Sequence, residues 1–302
     1  MDQVPMTPEE HDVTVFHPCP VDSACPYCSG SLTVKGDAVF DWSFLDGVYC
    51  ISLRSREDRA ASAAGQFHRV GLCRHVLFYR PIKHPKSAKR GIWESHRVVG
   101  AHARQRGSAR TLIMEDDVLF SRLLRPRTVR AIARALGSLP PDWMIFFLGH
   151  WPLWAYFVKP NVLRTGSACA HAYIANSRLL GWLEEHPYDS PGIRKAPRVV
   201  GAGIDAAYAR LEAAYALFPM IAIQSASKSD NMRHDPTNKK RKLRHIIRRS
   251  RHREWLLSHL MRPNEFLIVL LSPLILGLRG ALYLGRKIGR SGVLFELGSR
   301  RS

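Results

Sequence analysis

The 302-residue chain is long enough to bury a full core, and its length allows one or two domains. Its 46% hydrophobic and 23% charged residues are ordinary for a globular protein and exclude a chain too polar to collapse. The net charge of +20 is not ordinary: from Arg233 onward there are 17 Lys/Arg against 4 Asp/Glu, so the tail carries most of the excess and points to an anionic surface met by that tail.

The first residues, MDQVPMTPEEHDV, have neither a basic n-region nor an apolar h-region, so no secretory signal is expected. The six cysteines then read as reduced thiols of a cytosolic protein, with Cys50, Cys73 and Cys169 inside apolar or mixed stretches. Residues 1–45 form an irregular leader rich in Pro, Gly and Cys. Within it Cys19, Cys25 and Cys28 make a C-x5-C-x2-C pattern with His17 nearby. Four such ligands can hold a zinc ion. Only one pair has the usual spacing and no second pair follows, so the pattern favours thiols without metal.

Residues 46–232 alternate apolar runs with helical patterns, as an α/β domain does. The runs GVYCISL (47–53), TLIM (111–114), WMIFFL (143–148) and LFPMIAI (217–223) are apolar almost without interruption, which predicts strands covered on both faces. Helices are predicted between them. Residues 58–70 place Ala60, Ala64, Phe67 and Val70 at helical spacing. Residues 177–185 have Asn176 or Ser177 as N-cap and Pro187 as a stop. Residues 203–216, rich in Ala and Leu, read as a third helix.

Directly after the TLIM strand come Glu115, Asp116 and Asp117. In open α/β sheets, ligands bind beyond the carboxyl ends of strands. Three adjacent acids resist being desolvated together without a counter-charge. A divalent cation supplies one: Mg²⁺ or Mn²⁺ sits on one or two carboxylates and completes its shell with phosphates and water. The plainer alternative, a solvated acidic turn, fits poorly with apolar residues on both sides (Leu112–Met114 and Val118–Phe120).

The order of motifs around these acids resembles glycosyltransferase family 25, the lipopolysaccharide and collagen galactosyltransferase group. A strand ending Ile51-Ser52-Leu53 leads to Asp58-Arg59; RGIWESH supplies Gly91, Ser95 and His96; and Leu112 to Val118 read L-x-x-E-D-D-V. His171-Ala172-Tyr173-Ile174, then Ile204-Asp205, then, with one residue of offset, Pro219, Ile221, Gln224 and Ser227 follow in the family's order. Ser52 stands where the family usually has Asn, and Trp93 stands near its usual Gly-Cys.

The resemblance implies a GT-A fold, a Rossmann-like nucleotide-sugar-binding α/β domain with a mostly parallel central sheet. It implies an inverting transfer of a hexose, galactose by the family's habit, from a UDP-sugar to a saccharide hydroxyl such as one on lipopolysaccharide or another cell-surface glycan. Mn²⁺ or Mg²⁺ would be the cofactor. Asp116 and Asp117 are then the metal candidates, and Asp117 and Asp205 the catalytic ones, with Asp205 as general base. Ile51, Leu53, Arg59, Ser95, His96, Glu115 and His171 are the donor-binding candidates. Structural alternatives remain for several of them: Arg59 paired with Asp58, His96 and His171 as core histidines, and Asp205 as a helix cap.

Residues 233–302 change character. The run KKRKLRHIIRRSRHR carries Leu243, Ile246 and Ile247 among its cations. It leads through Trp255, Leu257, Leu260 and Met261 to the apolar stretch Phe266–Leu278. That stretch spans 13 residues and contains Pro273, whereas crossing a bilayer takes roughly 20. An interfacial, membrane-associating tail is predicted, holding the protein peripherally on the cytoplasmic face of the inner membrane near a glycolipid acceptor. Nucleic-acid binding is the rival reading. It explains the charge but not the apolar half, and no stacking aromatics interrupt the basic run, so no specific nucleic-acid partner is expected. An inactive scaffold with a glycosyltransferase fold is the other alternative.

Overall fold

The computed structural model describes residues 16–30, 39–121, 124–190, 203–225 and 264–274. The elements in chain order are β1 (Phe16–Pro18), α1 (Pro26–Ser29), β2 (Gly47–Ile51), α2 (Glu57–Arg69), β3 (Val76–Tyr79), α3 (Ala88–Gln105), β4 (Arg110–Glu115), β5 (Val118–Phe120), α4 (Pro126–Gly137), β6 (Ile145–Lys159), β7 (Val162–Asn176), α5 (Ser177–Glu185), α6 (Ile204–Tyr208), β8 (Ala214–Leu217) and β9 (Ala222–Gln224). Residues 264–274 form a further helical segment.

Strand β4 shows why the predicted strands lack alternation. Its Leu112 and Met114 face a cluster shared with Ala60, Ala64 and Phe67 of α2 and Val129 and Ile132 of α4. Ile113 faces the opposite cluster, which holds Trp93 and Val99 of α3, Leu179 and Leu183 of α5, and Tyr208 of α6. The sheet is therefore the middle of three layers. Both faces of each central strand must be apolar, which removes the period-2 signal.

The main sheet has the order β1-β3-β2-β4-β7-β6-β8. Here the expectation of a mostly parallel sheet needs correcting. β3, β2 and β4 are mutually parallel, but β7 runs antiparallel to both β4 and β6. β8 is parallel to β6. The mixture arises because β6 and β7 are two 15-residue strands joined as a hairpin. Its turn passes through Asn161 at φ 61, a left-handed conformation that Asn tolerates better than most residues. A hairpin has to bring its second strand back antiparallel.

Two further expectations change. LFPMIAI is not one strand: β8 ends at Leu217, a cis peptide joins Phe218 to Pro219, and β9 pairs separately with β5. Proline lacks the N–H that a continuous ladder would need. The predicted helix over 203–216 shrinks to α6, and its second half becomes β8. All four β8 residues are buried, so pairing with β6 and β7 outweighs the helical preference of alanine.

The leader is not wholly irregular. β1 pairs antiparallel with β3, and Cys19, Cys25, Trp42 and Leu45 are buried in the same cluster as α2 and α4. The predicted helix over 177–185 forms with those limits, and the Asn176 side chain accepts from the backbone N–H groups of Arg178 and Leu179 at 3.0 and 3.1 Å. Its amide also donates to the Trp143 carbonyl. Asn176→Ala removes both functions, and we expect a loss of about 1–2 kcal/mol in denaturant unfolding, the range of a lost N-cap. An unchanged unfolding midpoint would show that the cap carries no stability here.

Candidate active site

The parallel pair β2 and β4 ends in register, with Ile51 opposite Glu115. The Asp116 amide donates to the Ile51 carbonyl at 3.1 Å, which holds the next turn of chain against β2. The carboxylates therefore emerge at the carboxyl end of β4, where the strand geometry leaves a crevice. That crevice is a cleft of about 190 Å³, lined by Ile51, Leu53, Arg59, Ser95, His96, Glu115, Asp116, Asp117 and Asp205. Gln224 of β9, Lys83 and His84 also line it. A wider cleft of about 440 Å³ beside β1 is lined by His17, Arg54, Glu57 and Arg80 but gathers no group of carboxylates.

Asp116 is the most tightly held of the acids. Ser52 Oγ donates to its Oδ2 at 2.8 Å, and Arg59 Nη1 donates to its Oδ1 at 2.9 Å. Arg59 Nη2 also lies 3.7 Å from Asp117 Oδ2. The guanidinium thus bridges two acids, while Asp58 pairs with Arg56 instead. Part of the counter-charge that the sequence assigned to a cation comes from α2. Burial raises the Asp116 carboxyl, with Arg59 as the main opposing influence. Asp117 is raised well above the usual range, by burial and then by Glu115. Its Oδ1 is buried and has no hydrogen-bond partner among the described residues.

Glu115 and His96 form a different kind of pair. His96 Nε2 lies 3.7 Å from Glu115 Oε1, and Nδ1 is hydrogen-bonded to the Tyr173 hydroxyl at 2.8 Å. Tyr173 in turn shares a 2.8 Å hydrogen bond with Tyr208. Burial pushes Glu115 up to about 8, helped by Asp205 and Asp116, although a quarter of its side chain still opens to the cleft. Burial also pushes His96 down to about 4, with Asp205 opposing. Near neutrality, both groups are therefore uncharged. A protonated carboxyl facing a neutral imidazole avoids an isolated ion pair in a dry pocket.

Asp205 lies in the first turn of α6, but it is not a cap. The N-cap is Gly203, with no side-chain bond. The Asp205 carboxylate reaches across to β7, where Oδ1 accepts from the Ala170 amide at 2.9 Å. Ser95 lines the cleft, though its hydroxyl donates to the Gly91 carbonyl one turn back on α3 at 2.7 Å.

His171 does not line the cleft with the other predicted site residues. It is fully buried, with Nε2 3.5 Å from the Ala222 carbonyl. Gly149 is pressed against it: a Cβ there would lie 2.3 Å from His171 Nε2 and 2.2 Å from the Ala222 oxygen. The His171 Nδ1 is buried without a hydrogen-bond partner among the described residues. Lys83 and His84 were missed by the sequence reading, because nothing in PIKHPKS sets them apart from a surface loop. The His84 ring accepts from the backbone N–H groups of Lys86 and Ser87, which shapes the start of α3. The leader's zinc pattern also needs correcting. Cys25 and Cys28 gather with Cys73 and His68, whereas Cys19 and His17 are not in the group.

The cleft offers oxygen donors of the kind that suit Mn²⁺ or Mg²⁺. Asp117 has an oxygen without a hydrogen-bond partner among the described residues, whereas both oxygens of Asp116 are engaged by Ser52 and Arg59. The three acids do not converge on a ready-made cage: among the described residues, the group whose ligand atoms all lie within 4.8 Å is the cysteine–histidine one. A cation that draws most of its shell from phosphate and water needs no such cage.

No protein-family model matches the chain, and no curated protein matches it in sequence. Among solved structures, it is similar to a glycosyltransferase involved in the glycosylation of the major capsid of PBCV-1. That likeness has 8% identity and a TM-score of 0.29, over 48% of this chain and 70% of the other. An overlap so slight does not define the fold. What is described here is a mixed α/β protein with a large sheet.

The electrostatics make a specific forecast. A carboxyl whose pKa is raised in the folded state stabilises the fold below its unfolded pKa, and that contribution is lost as pH rises through the folded value. For Glu115 the window runs from about 4.5 to about 8. The buried histidines act oppositely, but only below their ordinary value of 6.5. Between pH 6.5 and 8, without divalent cation, wild-type melting temperature should therefore fall relative to Glu115→Gln. Parallel curves for the two proteins across that range would refute a buried, neutral Glu115.

Proposed function

We propose that this chain is a metal-assisted hexosyltransferase. It would move a sugar, galactose by the family resemblance, from a UDP-linked donor to a hydroxyl of a saccharide or glycolipid acceptor with inversion. The observation that carries this reading is the gathering of Glu115, Asp116, Asp117, Arg59 and Asp205 in one cleft at the carboxyl ends of β2 and β4. Mn²⁺ or Mg²⁺, held by Asp117 with help from its neighbours, would neutralise the donor diphosphate and the charge that develops as it leaves.

The remaining roles belong to the chain itself. Arg59 is fixed by Asp116 and offers a planar cation beside the acids, suited to phosphate oxygens. Ser52 keeps Asp116 turned toward Arg59. Asp205, steadied by the Ala170 amide, takes the proton from the acceptor hydroxyl as general base. Glu115, on the same cleft, would orient a ribose or a water. The gathering of three acids, Arg59 and Asp205 in one cleft favours the enzymatic reading over an inactive scaffold.

The direct test is a screen of UDP-sugars for slow donor hydrolysis with and without Mn²⁺. Asp117→Ala should abolish transfer and the thermal shift produced by UDP plus Mn²⁺, while its metal-free stability holds or rises because a carboxyl that burial and its acidic neighbours disfavour is gone. Asp205→Asn keeps an oxygen for the Ala170 amide; turnover should drop about 100-fold or more, with donor affinity little changed. Wild-type-like transfer by Asp117→Ala would rule out the metal role. Equal loss of donor binding in Asp205→Asn would make it a donor contact.

The proposal includes attachment to an anionic membrane. No helix among the described residues is long and apolar enough to cross one. The helical segment 264–274 buries Glu265 and Ser272, packs Val269 against the core and leaves most of its other apolar residues exposed. Glu265 is buried, accepting from the Met220 amide at 3.1 Å and bonded to His150 at 2.9 Å. Ser272 is buried and accepts from the Ala155 amide of β6. Meanwhile Phe266, Leu267, Leu270, Leu271 and Leu274 are exposed, as are Trp151, Tyr156, Phe157 and Val158 of β6. An apolar surface of this kind, in a chain whose sequence is strongly basic just before it, suits a lipid interface. The basic run 239–253 and Ser227 lie outside the described residues.

Anionic liposomes should sediment the full chain at low salt, with partial release in high salt and full release only in detergent. Leu270→Glu with Leu274→Glu should weaken the salt-resistant part. Tighter binding to duplex DNA than to such liposomes would favour the nucleic-acid reading instead.

A further inference from the structure

The cysteines that the candidate active site does not use come together elsewhere. Cys25 is the N-cap of α1 and Cys28 its third residue, so a C-x2-C pair wraps one helical turn. His68 lies in the last turn of α2. Cys73 follows five residues later, because Gly71 at φ 70 reverses the chain. The Tyr27 ring covers that turn so closely that a Cβ on Gly71 would lie 2.6 Å from it. The turn therefore requires glycine both for its backbone angle and for its space.

The ligand atoms have the mutual spacing of a tetrahedral site. Cys25 Sγ and Cys73 Sγ are 3.8 Å apart, Cys28 Sγ and Cys73 Sγ 3.5 Å, and Cys28 Sγ and His68 Nδ1 3.5 Å. All four atoms lie within 4.8 Å of one another. With Zn–S near 2.3 Å and Zn–N near 2.0 Å, a tetrahedron has S···S edges of about 3.8 Å and S···N edges of about 3.5 Å. A disulfide explains the group poorly. Its sulfurs would sit about 2.05 Å apart, and it would leave one thiol and the imidazole without purpose.

We propose that Cys25, Cys28, His68 and Cys73 bind one structural zinc ion that ties the leader to the α2–β3 turn. Three thiolates and one imidazole select zinc over the hard cations suited to the acidic cleft. Four protein ligands fill a tetrahedral shell, so no position is left for substrate. The site has a structural use, because α1 has only four residues and none of them is buried. A helix that short does not hold its own shape, and metal binding would supply what packing does not. The inference stands apart from the transferase reading and uses none of its residues.

The test is the zinc content of the full chain, purified without chelator, read by native mass spectrometry and by Co²⁺ substitution. One zinc per chain is expected, along with the thiolate-to-cobalt absorption of a tetrahedral site. Cys28→Ser and His68→Ala should lose the metal. His68→Cys should keep it with an altered cobalt spectrum, and Cys19→Ser should keep it unchanged. Chelation should lower the melting temperature of the wild type. The proposal is overturned by a wild type that binds neither zinc nor cobalt through thiolate, by an intact mass two hydrogens light, or by Cys19→Ser losing metal that His68→Ala retains. Should the ligand variants fail to fold, the wild-type cobalt spectrum decides alone.

Discussion

Burying carboxylates where β4 ends is tolerable only because Arg59 reaches them from α2. The guanidinium touches Asp116 and approaches Asp117, and it supplies positive charge where several acids meet. That contact needs α2 packed on one face of the sheet, through Ala60, Ala64 and Phe67. It also needs β2 and β4 to finish in register. The opposite face solves a similar problem without charge. Glu115 and His96 stay neutral, and the hydrogen-bonded Tyr173 and Tyr208 continue the polar line into the core.

The cleft is thus bounded by two solutions to one cost, the desolvation of ionisable groups. One side sets its carboxyls against a guanidinium, and the other favours the uncharged forms. Asp117 and Asp205 both line the space between the two sides, and Asp205 is fixed there by the Ala170 amide. Groups whose environments drive their pKa values apart are a common mark of acid–base chemistry.

Away from the cleft, polar contacts carry elements that apolar packing would not. The segment 264–274 is docked by Glu265 and Ser272 and leaves its leucines outside. An ordinary surface helix does the reverse. At the other edge of the sheet, the leader is held by strand pairing with β3 and by the thiols around His68.

Several features were legible from the sequence alone. The unalternating runs around Cys50, Ile113 and Phe146 identified two-faced strands, since full burial leaves no polar face. Asn176 before SRLLGWLEE located a helix start, since capping is local chemistry. The acids after TLIM fell at a strand's carboxyl end, as one-dimensional order suffices to predict. Other features required the third dimension. Alanine in AYAL prefers helix, and only burial beside β6 and β7 makes it a strand. The antiparallel course of β7 depends on a hairpin whose turn residues, Pro160 and Asn161, resemble any loop. His171 and His96 look alike in sequence; Gly149 and Ala222 close around one, while the cleft opens beside the other. Cys73 and His68 lie some forty residues from Cys25 and Cys28, so no local spacing could join them. Charge, caps and periodicity act between near neighbours and can be read in one dimension. Counter-charges and metal-ligand sets form between distant segments, so only the folded chain brought them together.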